Sequence, residues 1–545
     1  MLLDTRDPAP GEVERMVLSM SATISLLFGL LVAIVILATL ATRLRIPYAI
    51  LLVLGGLFLG FVPGLPSITL NPELILVLFL PPLIYSSAWL TSWRAFRANL
   101  RPILQLALGL VLVTTIVIAV VAHAIAGLSW PVAFVLGAVV SPTDAVAASA
   151  TARLLGLPRR IVTVIEGESM VNDATGLVVY RFAVAAVVTG SFSLWQASLQ
   201  FVVVSLGGLL IGLAIGWPVA WLHRHLDDAP IEITITLLTP YAAYLVANAL
   251  QVSGVLAVLS AGLYLSHQSS RFFSSNTRLQ ANAVWNVLVF LLNGLIFLLV
   301  GLQLRSILGT IAGPALPTLV WQALLISLAV IAVRIAWVFP SASLPRLVSP
   351  RLRDRDPFPG WRPITMAAWM GMRGGLSLAA ALALPLSLSG GVPFPQRDLV
   401  IFFTFGVILV TLVGQGLSLV PLIRLLGLER DSSLEQEHAQ AHLVAARAAL
   451  SRLDELATEA WVPQDALTYL RSHYAKKLRT LTEAIDGAGD ERFDRHAPVQ
   501  QRLRQEVLTA ERAAVIGLRD QGRIDDETLR LVERELDLEE QRLQD

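Results

Sequence analysis

Apolar segments long enough to cross a lipid bilayer recur along most of this chain. Hydrophobic residues make up 55% of its 545 residues, and charged residues only 15%. A membrane-spanning helix needs about 20 mostly apolar residues. This length predicts about 13 spans, at residues 17–41, 47–66, 70–90, 102–124, 130–155, 160–190, 192–222, 229–250, 253–267, 279–304, 316–340, 361–387 and 398–427. The predicted fold class is therefore an all-α polytopic membrane protein.

Composition divides the chain into three parts. Residues 1–16 are polar and lack the basic start of a signal peptide, so we expect a short N-terminal tail there. Residues 17–428 contain all the predicted spans and form the predicted transmembrane domain. Residues 429–545 are charged, with apolar residues at helical spacing, which predicts a cytoplasmic helical tail. We expect this tail to aid assembly or stability, with a regulatory domain as the alternative.

Basic residues predict the orientation of the spans, because they collect in cytoplasmic loops. The loops after the even-numbered spans contain only Arg305 and Arg397. The loops after the odd-numbered spans contain many more arginines, namely Arg43, Arg45, Arg94, Arg97, Arg101, Arg153, Arg159, Arg160, Arg224, Arg271, Arg278, Arg346, Arg351, Arg353 and Arg355. With an odd number of spans, this bias places the N-terminus outside and the C-terminus in the cytoplasm. The predicted location is the plasma membrane.

Residue counts exclude several kinds of protein. The chain has no cysteine, which rules out disulfides, thiolate metal sites and cysteine nucleophiles. Its formal net charge of +1 argues against binding to nucleic acid. The partner predicted from composition is the lipid bilayer.

Ionisable residues inside two predicted spans identify a candidate site. Residues 166–181 read EGESMVNDATGLVVYR, and residues 141–150 read SPTDAVAASA. A charged group at the centre of a membrane helix costs about 2.5–3.5 kcal/mol on insertion scales. Such groups therefore usually face a partner or a water-filled path. Both segments are predicted to contribute to an ion site.

The polar side chains of the second of these spans fall on two neighbouring helix faces, because residues three, four or seven positions apart share a face. The first face carries Glu166, Ser169 and Asp173, and the second carries Glu168, Asn172 and Thr175. Carboxylate, hydroxyl and amide oxygens are hard ligands, suited to alkali cations and not to soft metals. The pattern predicts a site for a monovalent cation.

Two spans are predicted to be interrupted near their middle. Pro142 removes a backbone donor and disfavours helix at the residue before it, so the fifth span should open before Thr143. The twelfth span contains MGMRGGLS, with three glycines around Arg373. If spans 1–6 and 8–13 are repeats, both interruptions fall on the fifth span of each half. This pattern is typical of an inverted-repeat transporter with crossed broken helices at its binding site.

Arg334 is a lone cation within the eleventh predicted span, so one or two of the intramembrane acids must pair with it. For Glu166 and Glu168, a structural salt bridge and ion contact both stay open. Ion contact is favoured for Asp144 and Asp173, because the other spans offer too few cations to neutralise every acid.

These motifs together resemble the sodium/proton exchangers of the NhaP/NHE type. The resemblance is carried, in this order, by SPTDA, EGESMVNDATGLVVYRF, VSGVLAVLSAGL, the lone Arg334 and GMRGGLSLAAALALP. It implies a homodimer of thirteen-helix protomers, in which a core domain moves like an elevator against a dimerisation domain. It also implies exchange of one cation for one proton, because electroneutral members carry an Asn-Asp pair, as at Asn172 and Asp173.

The resemblance also implies which residues bind the ion. Asp173 would be the central carboxylate for which cation and proton compete. Asp144, Thr143 and Ser169 would be further ligands of the alkali cation. Asn172 would steady the broken helix beside them. No cofactor is implied beyond the transported ions, which are Na⁺, Li⁺ or K⁺ and H⁺.

Other residues are assigned supporting roles by the same resemblance. Glu168 and Arg334 match a buried structural ion pair, and Arg373 matches the arginine of the second interrupted helix. Glu166 is a further candidate functional residue. Many relatives have an acidic residue where this chain has Ser86. The preference among sodium, lithium and potassium is therefore left open.

Three other classes of protein would also use intramembrane acids. An intramembrane aspartyl protease is disfavoured, because Asp144 follows Pro-Thr and Asp173 follows Val-Asn and neither lies in a GxGD motif. An ion sensor would use the same site without transport, and a transporter of an organic solute would need a larger cavity. An enzyme is not expected. The predicted function is sodium/proton antiport, with potassium-selective antiport as the nearest alternative.

Overall fold

The computed structural model describes residues 10–44, 46–63, 72–144, 149, 157–190, 193–311, 316–350, 354, 358–388, 391–427, 433–459, 462–485 and a few positions between 507 and 536. Every regular element within these ranges is a helix, which confirms the predicted all-α class. The chain forms two units, Met1–Arg430 and Asp431–Asp545.

We label the helices in chain order. Those of the first unit are α1 (Pro10–Leu44), α2 (Tyr48–Gly60), α3 (Pro72–Leu90), α4 (Trp93–Ala98), α5 (Leu100–Ala126), α6 (Trp130–Val140), α7 (Arg159–Thr189), α8 (Leu194–His223), α9 (Ala229–Ala249), α10 (Gly254–Phe272), α11 (Ser275–Ile311), α12 (Leu316–Val348), α13 (Trp361–Trp369), α14 (Gly375–Leu382) and α15 (Arg397–Leu426). The second unit contains α16 (Ser433–Leu456) and α17 (Gln464–Ile485).

The first unit has the helices of a multi-pass membrane protein. Among the described residues, eight helices are long and apolar enough to cross a membrane, namely α1, α5, α7, α8, α9, α11, α12 and α15. The shorter apolar helices α2, α3 and α6 lie within other predicted spans. The number of thirteen crossings and the inverted repeat stay predictions.

The first helix begins earlier than the sequence predicted. Helix α1 starts at Pro10 and so extends into the predicted tail of residues 1–16. Proline is favoured at the first position of a helix, where its missing N–H would have no intrahelical partner. The domain limits at residues 16 and 428 stay predictions.

Two glycines allow α2 and α11 to pack backbone to backbone. A Cβ atom added at Gly56 would strike the backbone of Leu298, and one added at Gly301 would strike the backbone of Val53 and Leu57. Small residues at such positions let membrane helices approach closely. This contact holds α2 and α11 together, and residues of both helices line the cavity described below.

We expect Gly301→Ala to destabilise the protein by about 1–3 kcal/mol, the usual cost of overpacking. Gly309→Ala is the matched control, because Gly309 lies on the same helix and an added Cβ there meets nothing within 4 Å. Thermal unfolding of the purified variants in detergent checks this. Equal midpoints for the two variants would contradict the close packing.

Candidate functional site

A cavity of about 480 Å³ lies among α2, α3, α7, α11, the segment after α6 and the start of α14. Asp144, Glu166 and Asp173 line it, together with Thr143 and Ser169. We call it the acidic cavity. Its volume is many times the roughly 30 Å³ share of one water molecule, so an ion can enter with part of its hydration shell.

Helix α7 separates its polar residues into two sets, as the helical period requires. The side chains of Glu166, Ser169 and Asp173 are half-buried and lie on the wall of the acidic cavity. Those of Glu168 and Asn172 are buried in the protein. The two sets therefore have different surroundings although they alternate along one helix.

Glu168 is paired with Arg334. The guanidinium donates to both carboxylate oxygens, with Nη1–Oε1 at 2.5 Å and Nη2–Oε2 at 2.9 Å. Both side chains are only 1% exposed. Arg334 Nη2 also donates to the carbonyl of Ala367 at 3.0 Å. Bidentate pairing neutralises both charges, and Glu168 is not among the residues that line the acidic cavity.

A hydrogen-bond chain connects this pair to the segment after α6. Asn172 Nδ2 donates to Thr143 Oγ1 at 2.7 Å, and Thr143 Oγ1 donates to Glu168 Oε1 at 3.1 Å. Thr143 thus donates a hydrogen bond to the carboxylate of the ion pair, and the residue also lines the acidic cavity. Asn172 holds Thr143 from α7 but does not line the cavity.

The two interrupted segments contact each other. Helix α6 ends at Val140 and α13 ends at Trp369, while α14 begins only at Gly375. The backbone N–H of Asp144 donates to the carbonyl of Met372 at 2.9 Å. The segment after α6 and the non-helical segment between α13 and α14 thus meet at the acidic cavity. Residues 145–148 and 150–156 of the predicted fifth span lie outside the described residues, so the crossing of two broken helices stays a prediction.

Arg373 satisfies carbonyl groups that the broken helices expose. Its Nε donates to the carbonyl of Val140 at 2.7 Å, and its Nη1 donates to the carbonyl of Gly371 at 2.9 Å. The side chain is fully buried and is absent from the lining of the acidic cavity. A cation at the C-terminal end of α6 also complements the helix dipole. Arg373 therefore binds the carbonyl groups of both interrupted segments from a buried position outside the acidic cavity.

Two glycines of the second interruption give room to functional side chains. A Cβ atom added at Gly374 would collide with the carboxylate of Asp144. One added at Gly371 would collide with the aliphatic part of Arg334. The glycines are required here for close approach.

The sequence did not reveal the polar residues on the opposite wall. Asn286 and Asn293 of α11 line the acidic cavity, as does Tyr48 of α2. Asn286 and Asn293 are seven positions apart in an apolar helix, and this spacing is the signal that could have identified them. Ser86 also lies at the wall, and its hydroxyl donates to the carbonyl of Leu83 at 2.9 Å.

Comparison with known proteins agrees with these features. A family model described as "Sodium/hydrogen exchanger, transmembrane" matches residues 29–425. An uncharacterized Na(+)/H(+) exchanger of Mycobacterium tuberculosis is 39% identical over 531 residues, which cover 95% of this chain and 97% of that protein. The Na(+)/H(+) antiporter ApNhaP of Aphanothece halophytica is 33% identical and is covered to 85%, as is this chain.

Other relatives differ in the ions that their names state. A protein of Bacillus subtilis named "Sodium, potassium, lithium and rubidium/H(+) antiporter" is 33% identical over 88% of this chain and 72% of that protein. The solved structure of the sodium proton antiporter MjNhaP1 from Methanocaldococcus jannaschii at pH 8 matches with a TM-score of 0.59 at 21% identity. That match covers 75% of this chain and 99% of MjNhaP1, and it supports the fold.

We expect Glu168→Ala to lower the amount of folded protein sharply. Removing one partner of a buried ion pair costs about 3–5 kcal/mol, because the other charge stays buried without compensation. Glu166→Ala is the comparison on the same helix, since the half-buried Glu166 lies at the cavity wall where water can replace it. Size-exclusion yield and thermal stability measure both. A normal yield of stable Glu168→Ala protein would contradict the structural role of the pair.

Proposed function

The chain belongs to the sodium/hydrogen exchanger family, and we propose that it exchanges a monovalent cation, sodium in the first place, for a proton across the plasma membrane. The observation that carries this proposal is the position of Asp144 and Asp173 on the wall of one cavity, beside a glutamate whose charge is already neutralised by Arg334. Both carboxylates line the space through which an exchangeable ion would reach the site.

Competition between a cation and a proton would supply the mechanism. A carboxylate shielded from water binds a proton more tightly, and a cation beside it favours loss of that proton. Proton and cation at Asp173 then exclude each other. If the site can change its exposure only when one of them is bound, each inward movement of one ion requires outward movement of the other. The larger gradient drives the exchange.

We assign the remaining ligands from the side chains around Asp173. Asp144 and Ser169 line the acidic cavity and would contribute oxygen ligands, as would the oxygen of Thr143. Asn172 would hold Thr143 in place through its hydrogen bond of 2.7 Å. Glu166, also on the wall, would add negative charge on the ion's path. Oxygen ligands of this kind suit hard cations.

The stoichiometry, the assembly and the topology belong to the same proposal. One cation exchanges for one proton, and the protomers form a homodimer in which a core domain moves like an elevator. The N-terminus lies outside and the C-terminus in the cytoplasm, in keeping with the arginines of the predicted loops. The protein needs no cofactor beyond the transported ions and acts as a transporter, not as an enzyme.

Potassium is the second candidate cation. The name of the Bacillus subtilis relative states four cations, namely sodium, potassium, lithium and rubidium. Membership of the family therefore does not restrict the cation to sodium. This chain also has Ser86 at the wall of the acidic cavity, which removes one carboxylate that would favour a small cation. The same experiment that tests transport decides between the ions.

We expect Asp173→Asn to abolish exchange, because an amide can neither bind the proton nor neutralise the cation. Everted vesicles from an antiporter-deficient host, energised by respiration, report proton release through a quenched dye when sodium, lithium, potassium or rubidium chloride is added. Asp227→Asn is the matched control, since Asp227 is exposed in the loop between α8 and α9.

The vesicle experiment also separates the rival classes. Recovery of the dye signal with one or more cations, in the unmodified protein and in Asp227→Asn only, supports exchange and gives the selectivity. Exchange at the normal rate in Asp173→Asn, with its amount verified, would overturn the proposal. No response of the unmodified protein to any cation between about pH 6 and 9, a range that brackets His titration, would favour an ion sensor or an organic-solute transporter.

We expect Gly374→Ala to weaken cation binding, measured on variant protein whose folded amount is verified. The added methyl group collides with the carboxylate of Asp144 and with its Cβ, so the carboxylate must leave its position at the cavity wall. Loss of an interaction with a charged group costs about 1.5 kcal/mol or more, so the half-maximal cation concentration should rise roughly tenfold. Gly309→Ala, into open space, is the control. An unchanged half-maximal concentration would contradict a role for Asp144.

A further inference from the structure

A second cavity, of about 100 Å³, lies where α5, α7 and α13 begin and α12 approaches its end. Arg101, Arg160 and Arg346 line it, each from a different helix. We call it the arginine cavity. It is separate from the acidic cavity, with which it shares no lining residue.

Two of the three arginine side chains are held in place by hydrogen bonds within the protein. Arg160 Nε donates to Asn99 Oδ1 at 3.2 Å, and Arg346 Nη1 donates to the carbonyl of Ala342. A guanidinium presents several N–H donors in a planar fork. The fork geometry matches the oxygens of a phosphate group.

The surroundings of the cavity indicate that its ligand comes from the membrane. Most other lining residues are apolar, among them Leu106, Val164 and Ile364. Trp361, at the first position of α13, is 57% exposed, and tryptophan is enriched at the membrane–water interface. A soluble anion gains nothing from apolar walls, whereas the glycerol and upper acyl carbons of a lipid do.

The volume of the arginine cavity and its predicted side of the membrane restrict the kinds of ligand that can bind. Its volume of about 100 Å³ is below the roughly 300–1,000 Å³ of sites for drug-sized ligands, so a nucleotide is too large. A single phosphate with part of its glycerol fits. All three arginines follow odd-numbered predicted spans and therefore lie on the predicted cytoplasmic side, where the leaflet is anionic.

We propose that the arginine cavity binds the phosphate headgroup of an anionic phospholipid, such as phosphatidylglycerol, and that the lipid joins the ends of the helices that hold the buried ion pair. Ala367 connects the arginine cavity to the ion pair, because it lines that cavity and its carbonyl accepts a hydrogen bond from Arg334 at 3.0 Å. The bound lipid would therefore stabilise α7, α12 and α13 around Glu168 and Arg334. This inference does not depend on which ion is transported.

Native mass spectrometry and thermal unfolding of delipidated full-length protein test the inference. We expect added phosphatidylglycerol to remain bound in the mass spectrum and to raise the unfolding temperature. Added phosphatidylcholine should be retained less and should raise the unfolding temperature less. Arg101→Gln and Arg346→Gln should each weaken phosphatidylglycerol binding roughly fivefold, which corresponds to about 1 kcal/mol per basic residue at a membrane surface. Arg278→Gln, an exposed arginine of another predicted cytoplasmic loop, should bind as the unmodified protein does.

Equal retention of phosphatidylglycerol by all three variants would overturn the inference. Inorganic phosphate, added alone at millimolar concentration, distinguishes the source of the anion: stabilisation as large as that from the lipid would overturn the lipid assignment. Photoreactive phosphatidylglycerol supplies a readout that needs no variant. It should label the start of α5 or the last turns of α12 in the unmodified protein, and labelling confined to other parts of the chain would also contradict the site.

Discussion

The buried ion pair between Glu168 and Arg334 is the interaction on which the geometry of the site depends. Two charges that are each 1% exposed are tolerated only because they neutralise each other with two hydrogen bonds. The pair also sets the rotation of α7. Glu168 and Asp173 are five positions apart, which separates them by about 140° around a helix of 3.6 residues per turn. With Glu168 turned towards Arg334, Asp173 is turned towards the acidic cavity.

The pair alone would leave the broken helices unsupported. Each helix end leaves carbonyl and N–H groups without intrahelical partners, and inside a bilayer there is little water to satisfy them. Each of the two interrupted segments supplies hydrogen-bond partners for the other. Arg373 donates to the carbonyl at the end of α6, and the N–H of Asp144 donates to the carbonyl of Met372. The glycines at 371 and 374 allow the close approach that these contacts need.

The sequence predicted the kinds of residue at the site better than their partners. The all-α class follows from the apolar segments, and the two polar faces of α7 follow from helical period alone. Reasoning from the residues alone left the partner of Arg334 open, because Glu166 and Glu168 are two residues apart, and only the resemblance pointed to Glu168. The structure shows the pair with Glu168. The capping role of Arg373 was not foreseen, since its acceptor belongs to a different span. Asn293 was missed because one uncharged amide barely changes the hydropathy of its helix.

The distribution of polar groups bears on how such a site could change its exposure. Asp144, Ser169 and Asp173 belong to α7 and to the segment after α6, which are tied together by the Asn172–Thr143–Glu168 chain and by the ion pair to α12. The opposite wall of the acidic cavity comes from α2, α3 and α11, and it is mostly apolar. Helices α2 and α11 are locked to each other by the close contact of Gly56 and Gly301. A movement along the apolar wall therefore breaks few polar contacts, whereas separating the ligands from one another would break the ion pair and its hydrogen bonds. This difference in cost favours transport in which the ion site moves as one body, as the proposed elevator requires.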